Sequence, residues 1–284
     1  MEKVSVIMPC YNDGAYIQES IDSVLDSTYK NIELIIVDDG STDESTIKTL
    51  AQIHDGRIRI FYNNHLGPAA ARNFAIGLAE GTYILPVDAD DLIEKTYIEK
   101  AVSILENDEM VGVVYCFAKL FGERNCVWDL PKFSMEAMLV DNIVFVTAMF
   151  RKRTWEKVKG FCIELKHGME DYDFWLSILQ EGLKIVQIPE FLFFYRIKPV
   201  SRTTKFILSD SVVKDTYKLI YLRHKSLYRR YEDLYNISIR NALITQNFRV
   251  QKLEKYEILL NKLNDYPILK KILKKLYHVY KEWK

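Results

Sequence analysis

Short apolar runs alternate with helical patterns through the first 117 residues, and this alternation restricts the fold more than any other feature of the sequence. Apolar residues between the runs recur at the spacing of amphipathic helices. The strand-like runs are Val4–Met8, Glu33–Val37, Arg57–Tyr62, Thr82–Val87 and Val111–Phe117. Strands that alternate with helices in this way predict an α/β fold with a parallel, doubly wound sheet. Ligands of such sheets bind beyond the carboxyl ends of the strands.

The remainder of the chain is less regular. Its predicted elements are a strand at Asn142–Phe150, a helix at Glu170–Leu179, strands at Lys184–Ile188 and Phe191–Tyr195 that Pro189 separates, and helices from Lys205 onward. We therefore predict an α/β domain over residues 1–204, with halves at 1–117 and 118–204. A helical region is predicted over residues 205–284.

Composition excludes several classes of protein. The 284-residue chain carries 39 basic and 39 acidic side chains, so no net field attracts nucleic acid and we expect no nucleic-acid partner. The four cysteines form no C-x-x-C pair, and reduced thiols fit a cytoplasmic protein. No apolar run approaches the ~20 residues that a membrane span needs. We expect a cytoplasmic protein that is soluble or attached peripherally to a membrane.

Three carboxylates fall within the four residues Asp88-Ala89-Asp90-Asp91, directly after an apolar run. A divalent cation would offset their mutual repulsion, and Mg²⁺ or Mn²⁺ takes oxygen ligands and also binds phosphate. Such a cation would neutralise a diphosphate leaving group. The alternative is that Asp90 or Asp91 caps a helix that follows.

Two further clusters lie at the same predicted edge of the sheet. In Asp38–Asp43, a carboxylate can accept hydrogen bonds from a nucleobase or a ribose, although these residue types also form turns and helix caps. Gly67–Asn73 contains Arg72, whose guanidinium matches phosphate oxygens but can equally form a surface ion pair.

The second half supplies an acid pair and a basic segment. Glu170 and Asp171 begin a predicted helix, where a carboxylate either stabilises the positive end of the helix or acts as a general base. Trp175 on the same helix can stack on a sugar or pack in the core. The segment Tyr195–Arg202 can close over a diphosphate or remain a solvated loop.

In this order and at these separations, the clusters resemble the inverting family 2 glycosyltransferases with the GT-A fold, of the bacterial polysaccharide-assembly type. The resemblance is carried by Ser5–Asn12 as the opening strand, Val37–Asp43 as the base-binding loop, Gly67–Asn73 and Gly81–Asp91 as the donor and metal segment, and Glu170-Asp171 as the catalytic acids. It implies a Rossmann-like, doubly wound mixed sheet with a helical C-terminal extension.

The resemblance also implies the reaction and its residues. A hexose or N-acetylhexosamine is expected to pass from a UDP-sugar to a glycan hydroxyl, lipid-linked or protein-linked, with inversion. Nucleotide-sugar contacts are expected from Pro9, Tyr11, Asp39, Arg72, Asp88 and Ala89. Asp90 and Asp88 are expected to bind Mn²⁺ or Mg²⁺. Asp171 is the expected general base, with Glu170 beside it. The acceptor or the diphosphate is expected to contact Trp175, Arg196, Lys198 and Ser201.

One position departs from the family pattern. Related sequences often carry a His after Tyr-Arg-x, where this chain has Lys198. A protonated Lys cannot ligate a metal but can pair with phosphate. The third protein ligand of the predicted metal is therefore open.

The C-terminal segment Tyr266–Lys284 has six Lys and one Glu, with apolar residues near helical spacing. A basic amphipathic helix can lie on an anionic membrane surface, pack on a partner or form a homodimer. We expect peripheral membrane contact, by analogy with the lipid-linked acceptors of the family.

Two other classes compete with this interpretation. A sugar-nucleotide pyrophosphorylase needs a basic, glycine-rich loop after the first strand, whereas Pro9–Gly14 contains no basic residue. A non-catalytic subunit that only binds nucleotide sugars needs no acid pair such as Glu170-Asp171. A nicotinamide dehydrogenase is disfavoured because no G-x-G-x-x-G follows the first strand.

Overall fold

The computed structural model describes residues 1–199, 201–262, 271 and 275. The chain divides into two compact units, Met1–Tyr231 and Glu232–Lys284. The strands of the first unit are β1 (Val4–Cys10), β2 (Ile32–Asp38), β3 (Ile58–Tyr62), β4 (Tyr83–Pro86), β5 (Leu92–Ile93), β6 (Val111–Gly122), β7 (Cys126–Trp128), β8 (Met149–Arg151) and β9 (Lys184–Ile197). Its helices are α1 (Ile17–Leu25), α2 (Glu44–Ala51), α3 (Pro68–Leu78), α4 (Tyr97–Asn107), α5 (Met135–Val140), α6 (Lys152–Val158), α7 (Glu170–Gln180), α8 (Arg202–Ile207), α9 (Asp210–Arg223) and α10 (Lys225–Arg230).

Four parallel strands form the first half of the sheet, in the order β3-β2-β1-β4. Every residue of β2 is buried, as expected for a parallel strand whose two faces are both covered. Each fully buried Val, Leu or Ile contributes about 1.5–3 kcal/mol. Because these strands run in one direction, Cys10, Asp38 and Pro86 end at the same edge of the sheet.

The second half of the sheet makes it mixed, in agreement with the predicted fold class. Strand β8 is antiparallel to both β4 and β6, while β9 is parallel to β6. The short β5 closes the far edge by pairing antiparallel with β9. Strand β5 thereby ties the loop after β4 to the second half of the molecule.

The strand predicted at Asn142–Phe150 is much shorter in the structure, where only Met149–Arg151 is in the sheet. Residues 142–148 form an irregular loop with bends. The side-chain oxygen of Asn142 accepts a hydrogen bond from the Val144 backbone N–H at 3.2 Å. Such local bonds compete with a strand ladder.

Pro189 does not separate two strands, contrary to the prediction, because β9 continues from Lys184 to Ile197. The register against β6 shifts between Ile188 and Phe191. Pro189 therefore lies in an irregularity of the ladder, where a missing backbone N–H is tolerated.

The first compact unit extends to Tyr231, beyond the domain boundary predicted at residue 204. Helix α9 is joined to α7 through Asp173, a fully buried carboxylate. Its Oδ1 accepts a hydrogen bond from Arg223 Nε at 2.7 Å and lies 2.8 Å from His224 Nε2. A buried carboxylate without such partners would be costly, so these residues belong to the same folding unit as α7.

The second unit is described over helix α11 (Glu232–Lys262) and at Lys271 and Lys275. The rest of the basic helix predicted over residues 266–284 lies outside the described residues. Within the described part of the chain, every helix is too short or too polar to cross a lipid bilayer.

Candidate active site

A pocket of about 680 Å³ opens at the carboxyl ends of β1, β2 and β4, where the ligands of doubly wound sheets bind. We call it the strand-end pocket. Its lining includes Pro9, Tyr11, Asp13, Tyr16, Asp39, His65, Arg72, Asp88, Ala89, Asp90, Lys198, Ser201 and Arg202. The six residues with predicted nucleotide-sugar contacts are all among them.

A second pocket, of about 390 Å³, lies between the α7 N-terminus and the loop that precedes β8. We call it the aromatic pocket. Its lining includes Trp128, Asn142, Phe145, Glu170, Asp171 and Phe193. Four residues line both pockets, which therefore adjoin: Arg72, Asp88, Tyr195 and Arg202.

One end of the strand-end pocket carries an aromatic pair beside a buried carboxylate. The Tyr11 ring, 42% exposed, lies 4.3 Å from the His65 ring between centroids. Asp39 is 4% exposed, and its two oxygens accept hydrogen bonds from the backbone N–H groups of Leu66 (2.8 Å) and Gly67 (2.7 Å). The turn and cap alternative also applies here, because Asp43 caps α2. Asp38 Oδ1 accepts from the Ser41 backbone N–H at 3.0 Å, so Asp38 and Asp43 hold the turn and the helix cap. Asp39 also holds the backbone of Leu66 and Gly67, and it lines the pocket.

The loop Asp88–Asp91 does not cap a helix, because it leads into β5 and α4 begins only at Tyr97. Each of its three carboxylates has a different partner. Asp88 Oδ1 accepts from Arg72 Nη2 at 2.5 Å. Asp90 Oδ2 lies 2.6 Å from Lys198 Nζ. Asp91, 1% exposed, accepts from the Arg196 backbone N–H at 2.8 Å. The loop is therefore fixed by cations and by β9.

Arg72 is a buried side chain, 2% exposed, and not a surface residue. Its guanidinium joins Asp88 to Glu170, whose Oε1 accepts from Arg72 Nη1 at 2.7 Å. Arg202 Nη2 then bonds both oxygens of Glu170, at 2.6 and 2.7 Å. This Asp88–Arg72–Glu170–Arg202 chain fixes the boundary between the two pockets.

The two acids of the pair Glu170-Asp171 have opposite pKa shifts. Burial disfavours ionised Glu170, but the guanidinium groups of Arg202 and Arg72 hold its pKa at about 2. Burial and the neighbouring Glu170 charge raise the pKa of Asp171 to about 6. Environments that separate the pKa values of two acids assign them different roles. Asp171 suits proton transfer near neutral pH, whereas Glu170 is a permanent anion.

Asp171 is oriented by two hydrogen bonds. Its Oδ1 accepts from the Tyr172 backbone N–H at 2.8 Å, and its Oδ2 accepts from Asn142 Nδ2 at 3.0 Å. Asn142 is 29 residues away in the chain, in the irregular segment. The carboxylate is therefore held at the wall of the aromatic pocket by a backbone group and an amide.

Asp88 and Asp90 are the carboxylates that could share a cation with phosphate oxygens. The bonds to Arg72 and Lys198 use one oxygen of each carboxylate. Two carboxylates plus substrate phosphates are a common Mg²⁺ donor set. Among the described residues, no group of three or more His, Cys, Asp or Glu side chains is arranged for a metal. Such a cation would depend on the bound diphosphate for the rest of its ligands.

Three predicted contact residues have structural roles. Trp175 is fully buried and donates its indole N–H to the Val144 carbonyl at 3.0 Å, so it packs in the core and does not reach a pocket. Arg196 stabilises the Asp88–Asp91 loop, because its Nε donates a hydrogen bond to the Asp90 backbone carbonyl at 2.8 Å. Ser201 lines the strand-end pocket but also caps α8.

Sequence reasoning missed several residues that line the pockets. Asp13 follows the first predicted strand at the same edge of the sheet but received no predicted contact, and His65 lies in a segment whose composition gave no separate signal. Trp128 and Asn142 come from the irregular segment 119–165, where no periodic pattern indicates which side chains face inward. Arg202 closes the basic segment noted above, but its pairing with Glu170 depends on tertiary structure.

The mixed sheet and the pocket at its strand ends agree with the predicted GT-A fold. A family model described as glycosyl transferase family 2 matches residues 5–167. The chain belongs to this family, and the predicted family, fold class and enzyme class are confirmed.

Curated relatives agree with this assignment. An uncharacterised glycosyltransferase of Haemophilus influenzae is 32% identical over 212 residues, which cover 68% of this chain and 65% of the relative. An Escherichia coli relative is named UDP-Glc:alpha-D-GlcNAc-diphosphoundecaprenol beta-1,3-glucosyltransferase WfaP. It is 35% identical over 190 residues, which cover 65% of this chain and 73% of that protein.

A solved structure supports the fold. Staphylococcus aureus TarS residues 1–349, crystallised in complex with UDP-GlcNAc, superimposes with a TM-score of 0.66 at 21% identity. The match covers 78% of this chain and 66% of that chain.

Proposed function

We propose that the protein transfers a hexose or N-acetylhexosamine from a UDP-sugar to a glycan hydroxyl, with inversion at the anomeric carbon. The observation that carries the proposal is the position of Asp171. This carboxylate, with a pKa of about 6, lines the aromatic pocket beside its junction with the strand-end pocket. A donor in one pocket and an acceptor in the other would meet at Arg72 and Asp88.

The strand-end pocket is the proposed donor site. The uracil ring would lie against the exposed face of Tyr11, within reach of Asp39. The ribose would lie near Asp88, and the diphosphate would lie between Lys198 and Arg202. Two similar proteins support a UDP-sugar donor: the E. coli relative is named for its use of UDP-Glc, and TarS was crystallised with UDP-GlcNAc.

Asp88 and Asp90 are the proposed protein ligands of Mn²⁺ or Mg²⁺. When bound, the cation would neutralise the charge that develops on the departing diphosphate. Lys198 and Arg202 add fixed positive charge on the same side. Such preorganised charge stabilises the transition state because it needs no rearrangement during the reaction.

Asp171 is the proposed general base. The acceptor hydroxyl oxygen attacks the anomeric carbon, its proton passes to the Asp171 carboxylate, and the bond from the anomeric carbon to the UDP oxygen breaks. UDP leaves with the bonding electrons. Because attack and departure occur on opposite faces of the sugar, an α-linked donor gives a β-linked product. Glu170 takes no proton in this mechanism; its role is to hold Arg72 and Arg202 in position.

The aromatic pocket is the proposed acceptor site. The Trp128 ring stacks on the Phe145 ring at 5.9 Å between centroids, and it lies 4.9 Å from the Tyr195 ring. The Phe193 ring packs against this group, with its centroid 4.5 Å from the centroid of the Phe145 ring. A flat aromatic wall beside polar groups suits the apolar face and hydroxyls of a sugar ring. Trp128 therefore takes the stacking role predicted for Trp175.

We propose a lipid-linked glycan as the acceptor, reached at the cytoplasmic face of the membrane. The name of the E. coli relative supports this choice, because that enzyme acts on a sugar linked to diphosphoundecaprenol. The basic segment 266–284 supplies the charge for peripheral contact with an anionic surface.

The first prediction concerns the pH profile. We expect kcat/KM to rise with pH through about 6, because Asp171 accepts a proton only when ionised. Asn142→Asp replaces a hydrogen-bond donor with a carboxylate beside Asp171, and a neighbouring like charge raises a carboxyl pKa. The acid limb should therefore move to higher pH by about one unit. Asn107→Asp, on an exposed helix end, is the matched control. An unchanged profile in Asn142→Asp would show that Asn142 does not act on the base.

A donor screen tests the proposed function. The purified protein is incubated with a panel of nucleotide sugars and Mn²⁺, and release of nucleoside diphosphate is measured without acceptor. We expect slow hydrolysis of one UDP-sugar above all other donors, and nuclear magnetic resonance of the transfer product should then show an inverted linkage. Preference for a non-uridine donor would refute the proposed donor class, and a retained configuration would refute the mechanism.

A further inference from the structure

Lys198 occupies an unusual position in the strand-end pocket. Its Nζ lies 2.9 Å from Asp13 Oδ1 and 2.6 Å from Asp90 Oδ2. The Lys198 side chain is 23% exposed, and each of the two carboxylates is 16% exposed. The ammonium therefore bridges two largely buried acids, one from the segment after β1 and one from the loop after β4.

The surroundings hold this lysine in place. The Tyr16 ring lies below the ammonium, with its centroid 5.4 Å from Nζ, which is within range of a cation–π contact. Two residues earlier, the Arg196 backbone and side chain are bonded to the acidic loop. These contacts fix the Lys198 ammonium, which is a cation in its ordinary ionisation state at neutral pH, between the two acids.

The Asp90 carboxylate is shared between Lys198 and the proposed metal site. Asp90 is a proposed cation ligand, yet one of its oxygens already contacts an ammonium. A divalent cation held by Asp88 and Asp90 would compete with that ammonium for the Asp90 charge. The Lys198 ammonium offsets one of the two negative charges of Asp13 and Asp90 before any metal arrives, and this positive charge lines the pocket proposed for the diphosphate.

We infer that Lys198 is a built-in cation of the donor site, which lets a nucleoside diphosphate bind without a divalent metal. This inference rests on the proposed function, because it takes the strand-end pocket as the diphosphate site. A divalent metal should therefore increase the affinity of this protein for UDP only weakly. Removing the ammonium should strengthen metal binding at Asp88 and Asp90 and make UDP binding metal-dependent.

Calorimetric titration of UDP into four proteins, each in buffer with EDTA and in buffer with Mn²⁺, tests the role of Lys198. They are the wild type, Lys198→Met, Lys198→Arg and the control Lys100→Met, which removes a lysine paired with Glu190 on the surface. The wild-type Kd should differ less than about fivefold between the two conditions, well below the factor of 10 that corresponds to 1.4 kcal/mol. Lys198→Met should bind at least about tenfold more weakly in EDTA and recover in Mn²⁺. Lys198→Arg and Lys100→Met should behave like the wild type.

The outcomes separate the inference from the function on which it rests. Wild-type binding that requires Mn²⁺ would overturn the inference and leave the UDP site intact. Wild-type protein that binds no UDP in either condition would instead overturn the proposed donor. If Lys198→Met binds UDP in EDTA as the wild type does, the ammonium has no role. Binding of Mn²⁺ alone, followed by electron paramagnetic resonance, should be tighter in Lys198→Met, and unchanged affinity would contradict the exchange between ammonium and metal. Should Lys198→Met not fold, the wild-type comparison alone decides.

Discussion

Sugar transfer is expected to fall by at least about 10³-fold in Asp171→Asn, while UDP binding stays within about twofold of the wild type. The amide keeps the size of the side chain and can keep the hydrogen bond from the Tyr172 backbone N–H. It cannot accept the acceptor proton as the new bond forms. Single-turnover kinetics with the preferred donor, together with calorimetric titration of UDP, measures both effects.

Glu170→Gln is the matched comparison, since it changes the adjacent acid in the same way. It removes the anion between Arg72 and Arg202, so we expect weaker UDP binding and lower stability. The acid limb should be retained but move to lower pH, because the Glu170 charge no longer raises the pKa of Asp171. Transfer by Asp171→Asn near the wild-type rate, or loss of the pH limb in Glu170→Gln, would reverse the assignment of the two acids.

Arg72→Met is expected to lower the free energy of unfolding by about 3–5 kcal/mol, the usual cost of breaking a buried ion pair by removing one partner. Methionine fills much of the arginine volume, so the change isolates the charge. It leaves Glu170 buried with one cation fewer and Asp88 without its guanidinium. Urea unfolding followed by circular dichroism measures the loss.

Arg153→Met is the control for Arg72→Met, because Arg153 pairs with Glu109 in an exposed position. Exposed ion pairs contribute little, so the midpoint of unfolding should not move measurably. Equal midpoints for Arg72→Met and Arg153→Met would show that the buried chain of charges does not stabilise the fold.

The edge at which the site lies could be predicted from the sequence because parallel strands place their carboxyl ends together. Asp39 and Asp88 follow separate apolar runs, and once those runs are read as parallel strands their residues converge. The order of the strands along the chain can be predicted from local patterns alone. For the same reason, the acid pair at the start of α7 could be identified before its environment was known.

The partners of those residues could not be predicted, because they depend on long-range packing. Lys198 and Asp13 are separated by 185 positions, and no local pattern links them. Trp175 and Trp128 are chemically identical, yet one is a core residue and the other lines a pocket. Periodicity shows which side of a helix is apolar, but it does not show which apolar residue borders a cavity.

A crystal structure of the protein with UDP tests the central claim most directly. The account predicts the uracil against Tyr11 beside Asp39, and the diphosphate between Lys198 and Arg202, with the empty aromatic pocket leading to Asp171. UDP bound elsewhere on the protein, or a diphosphate that points away from the junction of the two pockets, would contradict it.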